Sequence, residues 1–289
     1  MVRTMSSKKG FVDVHVHPPT KEFLLDSGGT HVAAAAKKFG HEIELKTIEQ
    51  MLEEYSECGI EKLVLFAWDA ETSSHRPRVT NEFVAGISDK FPERIIGFAS
   101  VDPHKESAVK ELEYAIKELK LTGLKLHPQV QGFEPNDPAY FPLYSKCVEL
   151  GVPITFHTGS TYWGAGLAGG GGVKLNFSNP MLLDDVAADF PELQLIMAHP
   201  GWPWQDEQLA IATHKQNVFI DLSGWSPKHF QPLLVTYMTK LIPEKFLFGT
   251  DYPMLSPRRW LQDFEALPVN ADVRRMVLGE NARKLLKIR

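Results

Sequence analysis

Short apolar runs alternate with longer amphipathic stretches along the whole chain. The runs are rich in Val, Ile, Leu and Phe and show little polar alternation, which is typical of strands covered on both faces. They predict strands at residues 11–16, 60–67, 95–99, 122–126, 152–156, 193–198, 218–221 and 246–249. The stretches between them have helical spacing and predict helices at residues 47–58, 80–90, 105–119, 138–150, 179–189, 205–214, 227–239 and 256–264.

This alternation over 289 residues predicts an α/β protein, a (β/α)8 TIM barrel in a single domain. We expect residues 1–10 to be an N-terminal tail, residues 11–289 to form the barrel, and residues 270–289 to add one or two C-terminal helices on its outside. A doubly wound open sheet is the alternative fold. It is less favoured than the barrel because no Gly-rich phosphate turn follows the first strand. The long stretches after strand ends, such as 18–44, are predicted to be irregular, with a short helix at 33–38.

Charge and composition narrow the class of partner. The formal net charge is −5, whereas nucleic acids and anionic membranes favour a basic surface. No apolar run approaches the ~18 residues that a membrane span needs. The two cysteines, Cys58 and Cys147, lie inside helical patterns and suit a reducing compartment. We therefore expect a cytoplasmic enzyme with a small-molecule substrate, and neither nucleic acid nor membrane as a partner.

Polar residues of one kind gather where the predicted strands end. His15 and His17 lie two positions apart on a strand and so point to the same face. Later strand ends carry His127, His157, His199 and Asp251. In a barrel these ends meet at one mouth. Neutral imidazoles with a carboxylate suit a borderline divalent ion, Zn²⁺ above all and also Mn²⁺ or Fe²⁺, with an open position for water. Asp251 either ligates this ion or takes the proton of its water, or does both.

Four segments carry a resemblance to the amidohydrolase superfamily: Asp13-Val-His15-Val-His17, Thr155-Phe-His157-Thr-Gly159, Ala198-His199-Pro-Gly201 and Phe248-Gly-Thr-Asp251-Tyr-Pro253. They look most like its amidohydrolase-related branch, which includes aminocarboxymuconate-semialdehyde decarboxylase, resorcylate decarboxylases and several lactone or amide hydrolases. The resemblance implies that the metal ligands are His15, His17, His157 and Asp251. It implies that His199 is a catalytic acid or base beside the metal. It also implies a homodimer, since barrels of this branch are often dimers.

Lys125 lies on the fourth predicted strand, with its side chain on the inward face that it shares with His127. Binuclear members of the superfamily use a carbamylated lysine on this strand to bridge two metals. The mononuclear branch needs no bridge, so we expect one metal and no second metal on a carbamylated Lys125. The alternatives for Lys125 are an ion pair with an acid such as Asp13, or binding of a substrate carboxylate. Asp13 is expected to share the face of His15 and His17 but to lie deeper, where it either orients a ligand imidazole or pairs with Lys125.

The residues expected to contact substrate are Lys125, His127, Arg76, Tyr162, Trp163 and Trp202. Tyr162 and Trp163 belong to the glycine-rich loop 160–174, which we interpret as a mobile lid or pocket wall with aromatic surface. Arg76 is the candidate for binding a substrate carboxylate. Each of these interpretations has a non-functional alternative. The loop 160–174 is then a flexible surface loop, and Arg76 is a solvated loop charge. Trp202 then serves only in packing, and His127 only seals the barrel.

The main functional prediction is hydrolysis of an amide, ester or lactone of a small carboxylic substrate. A metal-activated water attacks the carbonyl, and Asp251 and His199 manage the protons. The close alternative is non-oxidative decarboxylation of an aromatic or muconate-like acid, in which His199 or Asp251 protonates carbon. A TatD-type nuclease usually has a Glu on strand four, where this chain has Lys125 and His127, and the negative net charge disfavours it. A non-catalytic sugar- or metal-binding barrel would not need the full ligand set.

Overall fold

Parallel strands alternate with helices in the computed structural model, which describes residues 10–288. Every predicted strand is confirmed, with ends that differ from the prediction by at most two residues. The strands are β1 (Phe11–Val16), β2 (Ile60–Phe66), β3 (Ile95–Phe98), β4 (Leu124–Leu126), β5 (Ile154–His157), β6 (Leu195–Ala198), β7 (Val218–Asp221) and β8 (Phe246–Leu247). The expected tail, residues 1–10, lies outside the described residues except for Gly10.

The sheet closes on itself. The strands β1–β3 and β4–β8 form two ladders of parallel pairs. Between β3 and β4, the Lys125 N–H donates to the Ala99 carbonyl at 2.7 Å. Between β8 and β1, the Val14 N–H donates to the Phe248 carbonyl at 2.9 Å. These bonds join the ladders on both sides, so the predicted barrel is confirmed and the open sheet is excluded.

Helices connect the strands and follow the last of them, and the eight predicted helices are among them. They are α1 (Gly29–Phe39), α2 (Ile48–Glu57), α3 (Glu71–Ser74), α4 (Asn81–Lys90), α5 (Ala108–Lys117), α6 (Pro128–Gln131), α7 (Phe141–Leu150), α8 (Met181–Asp189), α9 (Gln205–His214), α10 (Pro232–Thr236), α11 (Pro257–Glu265), α12 (Ala271–Arg275) and α13 (Asn281–Leu285). Short π-helical segments are Glu22–Ser27, Tyr237–Leu241 and Met276–Glu280. Short 3₁₀ turns are Pro138–Tyr140, Ala168–Gly172, Leu175–Ser178, Pro227–His229 and Pro243–Lys245. Between residues 10 and 288, no helix has both the length and the apolarity to cross a bilayer.

The stretch 18–44 is more helical than predicted. It holds the π-helical segment Glu22–Ser27 and the 11-residue α1, where only a short helix at 33–38 was expected. No side chain caps the start of α1, so the sequence carries no strong start signal there. The helix ends at Gly40, whose φ of 68° is a left-handed conformation that favours glycine. This helix lies over the mouth of the barrel, because Val32 lines the cavity there.

An apolar layer fills the lower half of the barrel. Inward side chains from several strands form it, including Val14, Phe66, Phe98 and Ile196. The C-terminal helices close the opposite end from the mouth, where the Arg283 guanidinium donates to the Gly10 carbonyl at 3.0 Å. The polar strand ends therefore stand on a hydrophobic floor that limits water access from below.

Candidate metal centre

Three donor atoms converge at the barrel mouth. They belong to His15, His17 and Asp251, and all lie within 4.8 Å of one another. The Asp251 Oδ1 atom is 3.4 Å from His15 Nε2 and 3.6 Å from His17 Nε2. Two ligands that each lie about 2.1 Å from one tetrahedral ion are about 3.4 Å apart. The spacing and the N/O chemistry of this trio therefore fit one divalent ion.

A bulge in β1 aims the two histidines. Asp13 pairs with Leu63 and Val16 with Leu65, so β1 carries one residue more than β2 over this stretch. The extra residue directs His15 and His17 inward but turns Asp13 away from them. This overturns the expectation that Asp13 shares their face, which assumed an unbroken alternation of side chains.

Asp13 instead ties strand ends together. Its carboxylate accepts from the Tyr55 hydroxyl at 3.1 Å and from the Thr250 hydroxyl at 2.7 Å. It also accepts from the backbone N–H of His15 at 3.0 Å. Burial raises the pKa of Asp13 to about 7. Neither expected role is present, since Asp13 touches no ligand imidazole and does not pair with Lys125.

Asp221 supports His15 from behind, and sequence reasoning missed it. Its Oδ2 atom lies 2.6 Å from His15 Nδ1. An N–H at Nδ1 leaves the lone pair of Nε2 for the centre. The Ser223 backbone N–H donates to the other carboxylate oxygen at 2.8 Å. The available signal was a carboxylate that ends the predicted strand 218–221, at the same edge as the other candidates.

His17 is held by aromatic packing. Its ring stacks on Phe23 with centroids 4.4 Å apart, and Trp68 meets it edge-on at 5.8 Å. The Nδ1 atom of His17 is buried and has no hydrogen-bond partner among residues 10–288. Burial lowers the pKa of His17, as it does for His15, so both rings are neutral and available as ligands near neutral pH.

His157, the other predicted ligand, lines the same cavity but lies outside the converging trio. Its Nε2 atom is 3.1 Å from the Ser160 carbonyl, and its Nδ1 atom is 3.0 Å from His199 Nε2. A carbonyl only accepts, so a neutral His157 donates from Nε2 and accepts at Nδ1. Both of its nitrogens are therefore engaged, and ligation by His157 requires its ring to turn.

His199 continues this chain toward Asp221. Its Nδ1 atom lies 2.9 Å from the Ser223 hydroxyl, which is also 2.9 Å from Asp221 Oδ2. When both imidazoles are neutral, His199 donates from Nε2 to His157 and accepts at Nδ1 the single proton of Ser223. When His199 is protonated, its Nδ1–H donates to Ser223, and Ser223 donates to Asp221 Oδ2. Burial, together with the charge of Lys125, lowers the pKa of His199 to about 4. Ser223 is a second residue that the sequence analysis missed.

Two of these residues have unusual backbone conformations. Asp251 has φ of 64° and His199 has φ of 71°, both in the left-handed region. A non-glycine residue there costs about 1–2 kcal/mol. The Asp251 N–H donates to the His15 carbonyl at 2.9 Å, and the Gln208 amide donates to the His199 carbonyl at 2.8 Å. These bonds hold the strained turns that direct both side chains over the mouth.

Lys125 points into the barrel, as predicted. Its Nζ atom lies 3.3 Å from His15 Nε2 and 4.9 Å from the centre of the Phe66 ring. Within residues 10–288, no carboxylate oxygen lies within 4.0 Å of this ammonium. Burial lowers the pKa of Lys125 to about 8. Lys125 is thus the cationic group of the cavity.

The candidate ligands, His199 and Lys125 line one cavity of about 50 Å³ at the barrel mouth. Four of the six predicted substrate contacts line it, namely Lys125, His127, Tyr162 and Trp163. The other two do not. Arg76 donates to the Thr30 hydroxyl at 2.7 Å and so binds α1. Trp202 is 49% exposed and lies beside Trp225, outside the cavity. Both loops follow strand ends, and strand-end position alone did not reveal which way their side chains turn.

A closed parallel barrel with imidazoles and a carboxylate at its C-terminal mouth defines a class of metal-dependent barrel enzymes. This chain belongs to the amidohydrolase family, whose model matches residues 12–288. The predicted resemblance to the superfamily is thereby confirmed.

Relatives with assigned activities differ among themselves. The chain is 28% identical to a 2-amino-3-carboxymuconate-6-semialdehyde decarboxylase from Dictyostelium discoideum, over 71% of this chain and 65% of that protein. It is 31% identical to a 2-keto-4-carboxy-3-hexenedioate hydratase from Sphingobium sp., over 42% of this chain and 39% of that protein. The chain thus spans less than two thirds of the length of either relative.

Solved structures share the fold over nearly the whole chain. An uncharacterized TIM-barrel protein from Bordetella bronchiseptica has a TM-score of 0.79 and 25% identity, covering 96% of this chain and 98% of its own. A dihydroxybenzoic acid decarboxylase from Polaromonas sp., with bound manganese and the inhibitor 2-nitroresorcinol, has a TM-score of 0.72 and 20% identity, covering 97% of each chain. At this identity the second likeness concerns the fold alone.

Proposed function

We propose that this chain is a metal-dependent decarboxylase that removes the carboxyl group of a small aromatic or muconate-like acid without an oxidant. The observation that supports this most is the convergence of His15, His17 and Asp251 in a cavity that also holds Lys125 and His199. The relative that acts as a carboxymuconate-semialdehyde decarboxylase favours this reaction over the hydrolysis that the sequence slightly favoured.

One divalent ion belongs to the proposal. The chain would hold it through His15, His17 and Asp251, with His157 as the predicted fourth ligand once its ring turns. Zn²⁺ is our first choice of ion, because imidazoles and a carboxylate suit it. Mn²⁺ is the second choice, because manganese is bound in the Polaromonas structure. When bound, such an ion acts as a Lewis acid toward a substrate oxygen. A second ion on a carbamylated Lys125 is not part of the proposal, which assigns the Lys125 ammonium to the substrate instead.

Lys125 is assigned to the substrate carboxylate. It is the cation that lines this cavity, and no carboxylate oxygen of residues 10–288 lies within 4.0 Å of its ammonium. The aromatic walls keep bulk water away from this pair, since Trp163 is buried and stacks on Trp68 with centroids 4.7 Å apart. A dry site favours neutral CO2 over a charged carboxylate.

His199 is assigned to proton delivery. Decarboxylation breaks the bond between carbon and the carboxylate, leaves the electron pair on carbon, releases CO2 and requires a proton on that carbon. Asp251 is engaged as a ligand, which leaves His199 Nε2 as the proton carrier. Ser223 and Asp221 lie behind its Nδ1 atom, and the Asp221 carboxylate favours the imidazolium form against the burial that lowers the pKa of His199, as a carboxylate does behind other catalytic histidines.

The test is an assay of metal-loaded protein against 2,6-dihydroxybenzoate, other hydroxybenzoates, and a panel of lactones and amides. We expect CO2 release from an acid of the first group, abolished in His15→Ala and retained in the control His214→Ala, whose imidazole is exposed on α9. Hydrolysis products without CO2 would contradict decarboxylation and restore hydrolysis as the function.

A further inference from the structure

A second cavity lies against the metal cavity. It has a volume of about 300 Å³, against about 50 Å³ for the metal cavity. The two cavities share three wall residues, Val32, Tyr162 and Met254. We call the larger cavity the outer chamber. Its other walls include Lys46 and Glu54, which belong to the stretch between α1 and the end of α2.

The metal cavity is too small for a whole substrate. Pockets that bind small molecules usually measure about 300–1,000 Å³. A volume of about 50 Å³ accommodates a carboxylate or a few waters and little else. The part of an acid that does not react must therefore lie beyond the shared wall, and the outer chamber is the adjoining space.

The shared wall consists of side chains that can move. Tyr162 is half-buried and stacks on exposed His41 and Phe39, with centroids 5.9 Å and 5.4 Å apart. Its hydroxyl makes no hydrogen bond among residues 10–288. Met254 is unbranched and adapts its shape readily. Rotation of Tyr162 would join the two cavities without breaking a strand or a helix.

The outer chamber is acidic. Its acidic and basic walls are Glu42, Glu44, Glu54 and Lys46, which carry three formal negative charges and one formal positive charge. Lys46 is already engaged, because its Nζ atom lies 2.7 Å from Glu54 and 3.1 Å from Glu44. Glu54 also accepts from the Tyr252 hydroxyl at 3.2 Å. Among residues 10–288, the chamber walls therefore offer no unpaired cation to an anionic group.

We propose that the outer chamber holds the non-reacting end of the substrate and selects acids with a single carboxylate. The carboxylate enters the metal cavity, where Lys125 and the metal ligands lie. The other end of the substrate is neutral, or it carries O–H or N–H groups that donate hydrogen bonds to the glutamates of the chamber. A second carboxylate at that end would meet the glutamates and be repelled, so among the acids of the proposed function the chamber favours aromatic acids with one carboxylate over diacids of the muconate kind. This inference rests on the proposed decarboxylase function, because it takes the metal cavity as the place of the reacting carboxylate.

The test compares two ligands that differ by one carboxylate, 2,6-dihydroxybenzoate and 2,6-dihydroxyterephthalate. Their binding to metal-loaded protein is measured by calorimetry at low ionic strength, where exposed charges are least screened. We expect the diacid to bind at least about tenfold more weakly, and Glu54→Gln to narrow this gap by on the order of threefold. Glu57→Gln is the matched control. Glu57 lies on the same helix and also pairs with a cation, Arg258, but does not line the chamber.

Equal binding of the two acids, no binding by either, or a gap that Glu54→Gln and Glu57→Gln change alike would overturn the inference. CO2 release is measured on the same samples. Selective binding without CO2 release would support the role of the outer chamber and contradict decarboxylation. CO2 release with equal binding of the two acids would support decarboxylation and contradict the role of the outer chamber.

Discussion

The two sides of the barrel mouth are held in different ways. On the β1 side, the His15 ring lies 2.6 Å from a buried carboxylate of Asp221, and a backbone bond joins Asp251 to His15. On the β5 side, His157 is held by neutral groups only, the His199 ring and the Ser160 carbonyl. Both sides carry imidazoles at strand ends, so the sequence makes them look alike.

This difference divides the site into two halves. The prepared half is His15 with Asp221 and Asp251, and the adjustable half is His157 with His199. A carboxylate behind an imidazole fixes its tautomer and raises its basicity as a ligand. The β1 side is therefore arranged for a cation before any ion arrives. A neutral hydrogen bond contributes only about 1 kcal/mol net, so the His157 ring can exchange its partners at small cost. We infer that His15 sets metal affinity and that His157 adjusts to it.

Replacement of His15 tests this inference with the largest expected effect. In His15→Ala the prepared half loses a ligand and leaves Asp221 buried without its imidazole. We expect loss of bound metal in elemental analysis and a fall in kcat/KM on the order of 10³-fold. Retention of stoichiometric metal in this variant would remove the basis of the comparison.

Asp221→Asn removes the carboxylate while keeping the shape of the side chain. We expect metal affinity to fall by about 10- to 100-fold, because the His15 ring loses the acceptor that orients it. Affinity is measured by competition with a chelator of known strength. Thermal unfolding of the metal-free protein is the control, and a change in metal affinity that only follows a loss of folding stability would count against an orienting role.

His157→Ala is expected to act less on metal than either change above. If the ring joins the ion only after turning, its loss lowers metal affinity by roughly tenfold and leaves most of the metal bound at saturating concentrations. The same competition assay compares it with His15→Ala. Equal losses in the two variants would mean that the two sides of the mouth contribute alike.

Much of the fold followed from sequence because buried parallel strands are continuous apolar runs, and all eight were located from that signal. The candidate ligands followed from their position at strand ends. Asp13 was misplaced because a one-residue bulge in β1 reverses side-chain parity, and nothing in the residues 13–16 marks a bulge. Propensity also failed for α1, whose start lacks a cap.

The supporting residues were harder to predict than the ligands. Asp221 acts on His15 from more than 200 positions away in sequence, and Ser223 lies between that carboxylate and His199, so only the closed barrel brings these groups together. Arg76 and Trp202 show the opposite error. Their loops follow the correct strand ends, but tertiary contacts with Thr30 and with the surface beside Trp225 decide their direction.

Proton release on metal binding is a further test of the prepared half. Burial raises the pKa of Asp251 to about 8, so its carboxyl is mostly protonated at pH 7, whereas burial keeps His15 and His17 neutral. An ion binds the carboxylate and displaces that proton. We expect about one proton released per ion at pH 7, and an apparent affinity that rises about tenfold per pH unit up to pH 8 and then levels. Calorimetry in buffers of different ionisation enthalpy measures the proton count, and a count of zero would contradict a protonated Asp251.

The smallest expected effect concerns the link between the two sides. Ser223→Ala removes the hydroxyl that lies 2.9 Å from both His199 Nδ1 and Asp221 Oδ2. The backbone N–H of residue 223 still donates to Asp221, so the carboxylate stays behind His15 and metal content remains near that of the unmodified protein. We expect kcat to fall by about tenfold with KM little changed, because the hydroxyl orients His199 for proton delivery rather than binding substrate. Ser178→Ala is the matched control, since Ser178 is equally buried and its hydroxyl has no partner among residues 10–288. Equal losses of kcat in the two serine variants, or loss of metal in Ser223→Ala, would show that the hydroxyl acts on folding or on the metal instead of on His199.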